Sequence, residues 1–597
     1  MKKLVQNTAR LLRRAISNEL RKLRRKALEA EIGASFRRLE PRRVLTVNGT
    51  FAAGLLSVEI TVGGNTTAVL QQDGADTTSF FLDENNNGTF DVLNEVGGLK
   101  SALTQLNVVG PGNVGTFRWT DPAAAASPIL YNLNALSISG VDAVQFQTRA
   151  SITGNPTVSA LTSIAFDSIA TGNQLNINGD LTLNATGAAS QITSGANALL
   201  DVTGTATLNA NTINVGNAAG DTINFGSLAF TSTVNFQIGE DSSINLVGTS
   251  SSGSVTLRAE GDLSVGFLQA NGDVSLTARN NILDTDGMLD DADLSATGNV
   301  AMVSELGNIG SRFSNIFTAT NANLQDVNPL EVSTPGTYNL TATQGMIALQ
   351  VESLPGLNIT VDTETLWIQG GGDLVYSTIP LSLRNYIASD IDNLALIADW
   401  DNNSNGDLFL PDSISAPRDL RLSGVDVSAA DGTIDVTAAN LMFFSRQSET
   451  INTSVNDLDA QTLGSLTINE TNDLRLVDLN NDSFTRAADV GGNLIVNLAN
   501  GNLTVTNAAV ATANILLQTN AANTDITINA PVQSANGAIT VQAQRDITQG
   551  ANGDLSITAG AANTIYVYAV NGSIAMNADA SSTTQGGNIY YRAAQNV

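Results

Sequence analysis

One short phrase recurs through most of this chain and constrains its fold more than any other feature. A glycine is followed by a polar residue and then by apolar, polar and apolar residues in strict alternation. Examples are residues 179–185 (GDLTLNA), 253–259 (GSVTLRA), 272–278 (GDVSLTA) and 464–469 (GSLTIN). Alternation of this length is typical of β-strands with one buried face. The phrase therefore predicts many short strands separated by glycine-containing corners.

The spacing of the phrase predicts a repeat architecture. Gly253 and Gly272 are 19 residues apart, and Gly553 and Gly572 are also 19 apart. An irregular period of about 20 residues indicates a solenoid, in which each strand stacks on its counterpart in the next turn. A β-sandwich would not repeat one phrase for so long, and the density of Gly, Asn and Thr would break a long helix. We therefore expect an all-β fold, a parallel β-helix of about 20–25 turns.

Charge divides the chain into a basic head and an acidic body. The formal net charge is −28, yet residues 1–43 carry 14 basic and 4 acidic side chains, a net of +10. The rest of the chain therefore carries 14 basic and 52 acidic side chains, a net of −38. Because a body this acidic repels nucleic acid and anionic lipid, we expect it to have no nucleic-acid partner.

Two residue types that carry much of enzyme chemistry are missing, since the chain has no cysteine and no histidine. Their absence excludes zinc fingers, thiol nucleophiles, disulfide scaffolds and catalytic triads that use a histidine base. The sequence also lacks any apolar run that reaches the roughly 18 residues of a membrane-spanning helix.

Residues 12–27 predict a basic amphipathic helix. An apolar stripe at helical spacing is surrounded by arginines and lysines, and consists of Leu12, Ile16, Leu20, Leu23 and Ala27. Such a segment suits export, attachment to a membrane surface or a nucleic-acid-binding arm. The uncharged stretch that follows, 44–58, favours export, during which the head would meet the membrane.

Residues 35–45 (SFRRLEPRRVL) resemble the LEPR-XLL motif, an N-terminal sorting element of large secreted or cell-surface proteins in planctomycete-type bacteria. Residues 39–42 match it, and Arg43 fills its variable position. Val44 and Leu45 stand where the family has two leucines, so Val44 is a departure. The resemblance implies that this chain is exported and held at the cell surface or secreted.

The body resembles a second family. The phrases of residues 135–597, together with NNILD at 280–284 and GNIGS at 307–311, are similar to the repeats of filamentous haemagglutinin-type surface proteins. That resemblance implies a right-handed parallel β-helix (β-solenoid) that works in adhesion, with surface glycans or other surface proteins as partners. We expect a basic helix and sorting segment at 1–45, a β region or cap at 46–135 and solenoid repeats at 136–597. An irregular insertion interrupts the repeats near 380–460.

Two loops have the spacing of calcium ligands. The candidate ligands are Asp83, Asn85, Asn87 and Asp91 in the first loop, and Asp401, Asn403, Asn405, Asp407 and Asp412 in the second. Alternating oxygen ligands around a sharp glycine turn wrap a hard cation in EF-hand-type loops. Asn94 and Asp412 stand where the bidentate glutamate belongs. We predict Ca²⁺ at these loops, with an ordinary polar turn as the alternative.

The composition also argues against an enzyme. Polysaccharide hydrolases of the β-helix fold normally use histidine and lysine, and this body has no histidine and one lysine, Lys100. A lyase could use an arginine base, and Arg258, Arg279 and Arg312 are available, but the sequence does not place carboxylates beside them. We therefore expect no catalytic residues and a non-enzymatic surface protein of structural or adhesion type. A carbohydrate-active β-helix enzyme is the alternative.

Overall fold

The computed structural model describes most of the chain from residue 47 onward. The described residues are 21–22, 26, 47–61, 66–73, 76–84, 86, 95–120, 131–167, 174–247, 249–285, 293–311, 313, 315–317, 329–350, 358–399, 404–429, 432–480 and 486–597. The predicted basic helix and the LEPR-type segment lie outside them, apart from Arg21, Lys22 and Lys26. What is described is nearly all β and forms mainly parallel sheets, in a solenoid-like arrangement.

Antiparallel pairing is confined, within the described residues, to positions 47–99. The strands there are Val47–Ala52, Leu55–Ile60, Thr67–Asp73, Asp76–Asp83 and Val96–Leu99, followed by a 3₁₀ turn at Lys100–Ala102. Leu55–Ile60 and Thr67–Asp73 also pair in parallel with strands of the next turn. The antiparallel partners therefore cover the edge that the first parallel strands would otherwise expose.

Sheet 1 begins with these strands and continues in parallel pairing. Its further strands are Gln105–Val109, Thr116–Thr120, Tyr131–Leu133, Ala135–Gln147, Arg149–Thr153, Thr157–Phe166, Gln174–Asn178, Leu181–Ala185, Gln191–Ser194, Leu199–Val215, Thr222–Glu240, Thr249–Ser252, Ser254–Ala259, Phe267–Ala270, Val274–Ala278, Leu294–Ala296, Val300–Ser304, Val332–Ser333, Thr337–Ala342 and Asn358–Asp362. A small sheet of Ile244–Asn245, Leu263–Val265 and Ile282–Asp284 lies along it. Single bridges through Ile309 connect this small sheet to sheet 2.

Sheets 2 and 3 build the C-terminal half. Sheet 2 consists of Met346–Gln350, Thr365–Gln369, Asn393–Ile397, Asp419–Ser423, Asn440–Ser445, Asp457–Thr462, Leu474–Leu476, Arg486–Val490, Leu503–Val505, Ala508–Ala511, Ile526–Ile528, Val532–Ser534, Ile547–Gln549, Leu555–Ile557, Ile574–Met576 and Ser582–Thr583. Sheet 3 consists of Ser413–Ser415, Ile434–Thr437, Glu449–Ser454, Leu466–Glu470, Leu494–Leu498, Ile515–Thr519, Ile539–Ala543, Ile565–Ala569 and Ile589–Ala593. The strands of a short sheet, Leu374–Val375, Leu408–Leu410 and Val427–Ala429, alternate in sequence with the early strands of sheet 2.

Two long strands show what one turn of the stack contains. Leu199–Val215 pairs in parallel with Thr222–Glu240 along three stretches, separated by register shifts after Val202 and after Ala210. The shifts are corners at which the strand changes direction, so one turn presents three strand segments. Glycine is needed at such a corner, because a Cβ on Gly204 would lie 2.7 Å from the Gly179 carbonyl carbon.

The interior of the stack is filled by columns of like residues in register. In sheet 3, Ile468, Val496, Leu517, Val541 and Val567 pair one above the other and are at most 1% exposed. Neighbouring turns stand about 4.8 Å apart, so each branched side chain packs on its counterparts above and below. Burying such a side chain contributes about 1.5–3 kcal/mol. These columns explain the apolar positions of the repeated phrase.

The polar residue of the phrase has a structural role that its chemistry explains. Asp262 Oδ1 accepts a hydrogen bond from the backbone N–H of Asn281 (2.9 Å), and Asn281 Oδ1 accepts one from the N–H of Asn308 (2.9 Å). Asn308 Oδ1 in turn accepts from the N–H of Met346 (2.7 Å). Each side chain thus satisfies a corner N–H of the following turn, which no strand pairing reaches. A second ladder of this kind runs through Asp473, Asn502, Asp525 and Asp546 to Ser573.

The glycine of the phrase is required by the close approach of successive corners. A Cβ on Gly272 would stand 2.6 Å from the Gly253 carbonyl oxygen, and one on Gly336 would stand 2.5 Å from the Gly298 carbonyl oxygen. These neighbours are backbone atoms, which cannot rotate away. The same packing that builds the polar ladder therefore excludes every side chain at these positions.

Gly336→Ala is expected to lower the free energy of unfolding by about 2 kcal/mol, because the new methyl group forces the corner away from Gly298. Gly372→Ala is the matched control, since a Cβ there meets nothing within 4 Å, and it should be neutral. Urea unfolding of both variants and of the wild type measures the difference. Equal midpoints for the two variants would contradict the close-approach explanation.

One α-helix, Leu381–Ser389, stands out among the strands. It lies in the segment 380–460, where the sequence predicted an irregular insertion. Leu383 and Ile387, one helical turn apart, are buried, and the Tyr386 hydroxyl donates to the Thr363 carbonyl (2.6 Å). The strands after the helix keep the parallel pairing of sheet 2. In the described part of the chain, no helix has the length and apolar character needed to cross a membrane.

Candidate functional site

The second predicted calcium loop is organised by a residue that the sequence analysis did not single out. Asp399, in a left-handed conformation (φ 53°), accepts hydrogen bonds at Oδ1 from the backbone N–H groups of Ser404 (2.9 Å) and Asn405 (3.2 Å). Its Oδ2 lies 3.4 Å from the Arg446 guanidinium. Asp399 therefore holds the backbone of Ser404 and Asn405, as aspartate does in polar turns.

The predicted ligand Asp407 belongs to a column of aspartates. Its N–H donates to Asp373 Oδ1 (3.0 Å), and its own Oδ1 accepts from the N–H of Asp426 (3.2 Å). Burial and the two neighbouring carboxylates raise the pKa of Asp407, although the Asp426 N–H opposes them. Asp412 immediately precedes the strand Ser413–Ser415, and Asp401 and Asn403 lie outside the described residues.

The first predicted loop is described only at its start. Asp83 ends the strand Asp76–Asp83, is 1% exposed and lies opposite Val69 in the sheet. The Gln71 amide donates to its Oδ2 (3.5 Å). Asn85, Asn87 and Asp91 lie outside the described residues. Among the residues that are described, no three acidic side chains come together as a metal site would require.

The arginines considered for a lyase do have a carboxylate beside them, which corrects the sequence analysis. Glu260 Oε1 lies 2.7 Å from Arg258 Nη2, and Glu260 Oε2 lies 3.6 Å from Arg279 Nη1. The Arg258 guanidinium lowers the pKa of Glu260, and Glu260 raises the pKa of Arg258. A proton-abstracting arginine needs the opposite shift. The cluster has the properties of an exposed ion pair, and Arg312 lies outside the described residues.

A shallow cleft of about 590 Å³ opens on the side of sheet 1. Its lining is entirely uncharged and includes Asn184, Asn209, Asn211, Thr231 and Thr233. The Asn209 amide donates to Asn184 Oδ1 (2.7 Å), and the Asn211 amide donates to Thr233 Oγ1 (2.6 Å). Amides and hydroxyls of this kind offer hydrogen bonds to a neutral polar ligand, without any group that could act as acid or base.

A second surface, which carries no acidic side chain and one arginine, follows the outer face of sheet 3, and we call it the amide–tyrosine stripe. It comprises the outward residues of the strands between 449 and 593, in two adjacent columns. Asn452, Asn469 and Asn497 form an amide ladder, in which the Asn469 amide donates to Asn452 Oδ1 (3.1 Å). Farther along, one column runs through Tyr566 and Tyr590, and the other through Tyr568 and Arg592.

Sheet 2 carries a buried cation on its outer face, which sequence reasoning also missed. Arg421 is 1% exposed, donates from Nη1 to the Ile316 carbonyl (3.0 Å) and lies over the Trp367 ring, 5.2 Å from its centroid. Burial lowers the pKa of Arg421 to about 9, against the opposing charge of Asp459, so it stays protonated at neutral pH. The sequence did contain a signal that this face of sheet 2 is covered. The strands at 346–350 (MIALQ) and 365–369 (TLWIQ) do not alternate between apolar and polar residues, because both of their faces are buried.

Comparisons with known proteins identified no relative of this chain. No protein-family model matches the chain, and neither a curated protein nor a solved structure matches it. The site must therefore be judged from its own geometry.

Proposed function

We propose that this chain is an exported cell-surface protein of structural or adhesion type, built as a right-handed parallel β-helix and without catalytic activity. The observation that supports the proposal best is the parallel pairing of the described strands from turn to turn, within sheets 1, 2 and 3, between residues 105 and 593. Such a stack is stiff and presents similar shallow contacts many times along its side. Repeated weak contacts suit attachment to an extended partner better than turnover of a small substrate.

Export is the part of the proposal that rests on the head, residues 1–45. A fusion of residues 1–60 to a reporter, expressed in a planctomycete-type bacterium, should appear in the surface or secreted fraction. Deleting residues 39–45 should abolish this, whereas deleting the seven residues 28–34, between the predicted helix and the motif, should not. A cytoplasmic reporter, or one indifferent to both deletions, contradicts export. Salt-sensitive DNA binding by the head would favour a nucleic-acid-binding arm instead.

One observation keeps a second candidate function open to test. Glu260 beside Arg258 and Arg279 supplies the carboxylate–arginine pair that a polysaccharide lyase of this fold would need. The raised pKa of Arg258 makes it a poor base, so we expect no cleavage of any polysaccharide by the full chain. Release of unsaturated sugar products, lost in Glu260→Gln, would replace the proposed function with a lyase.

The proposal includes stabilisation by Ca²⁺ at the second loop. Asp373, Asp407 and Asp426 stand one above another, and a divalent cation near them would relieve repulsion within a body of charge −38. We expect Ca²⁺ to raise the melting temperature of the full chain by several degrees, and a chelator to reverse the rise. Asp407→Asn should remove most of the shift, with Asp83→Asn testing the first loop separately. A melting temperature that does not change when Ca²⁺ is added contradicts the proposed stabilisation by calcium.

A further inference from the structure

The amide–tyrosine stripe ends in a cluster of aromatic side chains that the proposed function has not yet used. The Tyr566 and Tyr568 ring centroids are 6.0 Å apart with an interplanar angle of 36°, and Tyr590 pairs with Tyr566 on the next turn. The Arg592 guanidinium lies over the Tyr568 ring, 5.0 Å from its centroid. The cation holds the Tyr568 ring in place. The result is a platform of three tyrosine rings with hydroxyl edges, in which Arg592 covers one face of Tyr568.

The amide ladder behind this platform keeps part of its hydrogen-bonding capacity. Asn469 donates one N–H to Asn452 and accepts one hydrogen bond from the Asn497 amide (3.5 Å). A primary amide has two N–H groups and two lone pairs, so the ladder leaves one of each for an outside partner. Gln518 and Gln542 continue the same column up to Tyr568. Donors and acceptors therefore recur at the turn spacing of about 4.8 Å.

The charge distribution selects among possible partners. Between Asn452 and Arg592 the outward positions of sheet 3 carry no acidic side chain, and the residues that immediately precede and follow the strands from 466 to 593 are uncharged as well. This is unusual in a body of net charge −38. A second copy of the chain would bring the same negative charge and be repelled as a whole. A single arginine is too little to attract a polyanion.

We propose that the amide–tyrosine stripe binds a neutral polysaccharide, with sugar rings stacked on Tyr566, Tyr568 and Tyr590 and hydroxyl groups bonded to the amides of the preceding turns. This inference rests on the proposed surface function and names its partner. A sugar ring offers an apolar C–H face and a rim of hydroxyls, which match an aromatic face and an amide rim. A neutral polysaccharide is also not repelled electrostatically as it approaches the acidic body of the protein.

The test uses affinity electrophoresis of the full chain in gels that contain neutral polysaccharides (amylose, mannan, xyloglucan, laminarin) or acidic ones (alginate, heparin). At least one neutral polysaccharide should retard the wild type, and the acidic ones should not. Tyr566→Ala/Tyr568→Ala should weaken the binding at least about tenfold, because aromatic anchors dominate interfaces. Tyr566→Phe/Tyr568→Phe keeps the rings and should retain most of it. Phe409→Ala, at an aromatic residue 38% exposed outside the stripe, is the matched control and should bind as the wild type does.

The outcomes separate this inference from the proposed function. Circular dichroism checks that the double alanine variant is folded. The single variant Tyr590→Ala is a second test, and it should weaken polysaccharide binding less than the double variant does. The stripe proposal is overturned by three results: no retardation by any neutral polysaccharide, equal retardation of wild type and alanine variants, or self-association that the alanine variant abolishes. A reporter that stays in the cytoplasm would instead overturn export and leave the binding result standing.

Discussion

Replacing Arg421 by alanine is expected to lower the free energy of unfolding by about 3–5 kcal/mol, the cost of removing one partner from a buried charged group. The substitution removes the cation over Trp367 and the donor to the Ile316 carbonyl, and it leaves a cavity between covered strands. It also leaves the buried carboxylate of Asp459 without the positive charge of Arg421, with which it interacts. Urea unfolding, followed by tryptophan fluorescence, measures the loss of stability.

Two further variants separate the charge from the volume. Arg421→Met fills the space, and the double variant Arg421→Met/Asp459→Asn removes both charges together. Because well-packed neutral residues often replace a buried charge pair without loss, the double variant should be more stable than Arg421→Ala. If Arg421→Ala unfolds at the wild-type midpoint, the guanidinium has no structural role at this site.

The stability of the full chain is expected to fall as the pH rises from about 4.5 to about 7, and Glu240→Gln should remove part of that fall. Glu240 is 2% exposed, and burial raises its pKa from 4.5 to about 7, against the hydrogen bonds from the Phe225 N–H (2.8 Å) and the Ser242 hydroxyl (3.0 Å). Its Oε2 is buried with no hydrogen-bond partner in the described part of the chain.

The direction of this pH dependence of stability follows from the protons that Glu240 binds in the folded and unfolded states. Between pH 4.5 and 7 the folded chain holds a proton on Glu240 that the unfolded chain has released. Acid therefore favours the folded state, and this stabilisation, present below the unfolded pKa, is lost as the pH rises through the folded pKa. A shift of about 2.5 pKa units corresponds to about 3 kcal/mol.

Melting temperatures of wild type and Glu240→Gln across pH 4–8 measure this contribution. The glutamine keeps an acceptor for the Phe225 N–H but cannot ionise, so the variant should lose less stability toward pH 8. Glu449, whose pKa burial also raises to about 7, leaves a residual slope of the same sign. Glu260→Gln is the control, because the pKa of Glu260 is lowered and its loss should not flatten the profile. Identical profiles for wild type and Glu240→Gln would contradict the prediction.

The repeated phrase was sufficient to predict the strands and their parallel stacking. The phrase at 272–278 holds the strand Val274–Ala278, and the phrase at 464–469 covers all but the last residue of Leu466–Glu470, each with alternating burial. What the phrase could not supply is the register, because corner lengths vary. Equivalent residues are 17 apart between Asn452 and Asn469 but 38 apart between Asn299 and Thr337. A period of about 20 therefore holds only where the corners are short.

The rest of the structure depends on contacts between distant segments. Arg421 reaches Ile316, 105 residues earlier, so no local pattern could identify it as buried. Glu260 meets Arg279 only because the two lie on neighbouring turns. The predicted calcium ligands were chosen by spacing along the chain, whereas Asp407 meets Asp373 and Asp426 across turns. In a stacked fold, the neighbours that matter are one turn away rather than one loop position away.

The ladder through Asp262, Asn281 and Asn308 gives the stack a direction. In each step the earlier turn supplies the side-chain oxygen and the later turn supplies the backbone N–H. At the corner that carries this ladder, the two ends of a block of turns are therefore chemically unlike, one presenting side-chain acceptors and the other presenting backbone donors. A block inverted end for end would set oxygen against oxygen and N–H against N–H, leaving both unpaired. Turns can consequently be added, swapped or duplicated only head to tail, which protects a long parallel stack from joining the wrong way round.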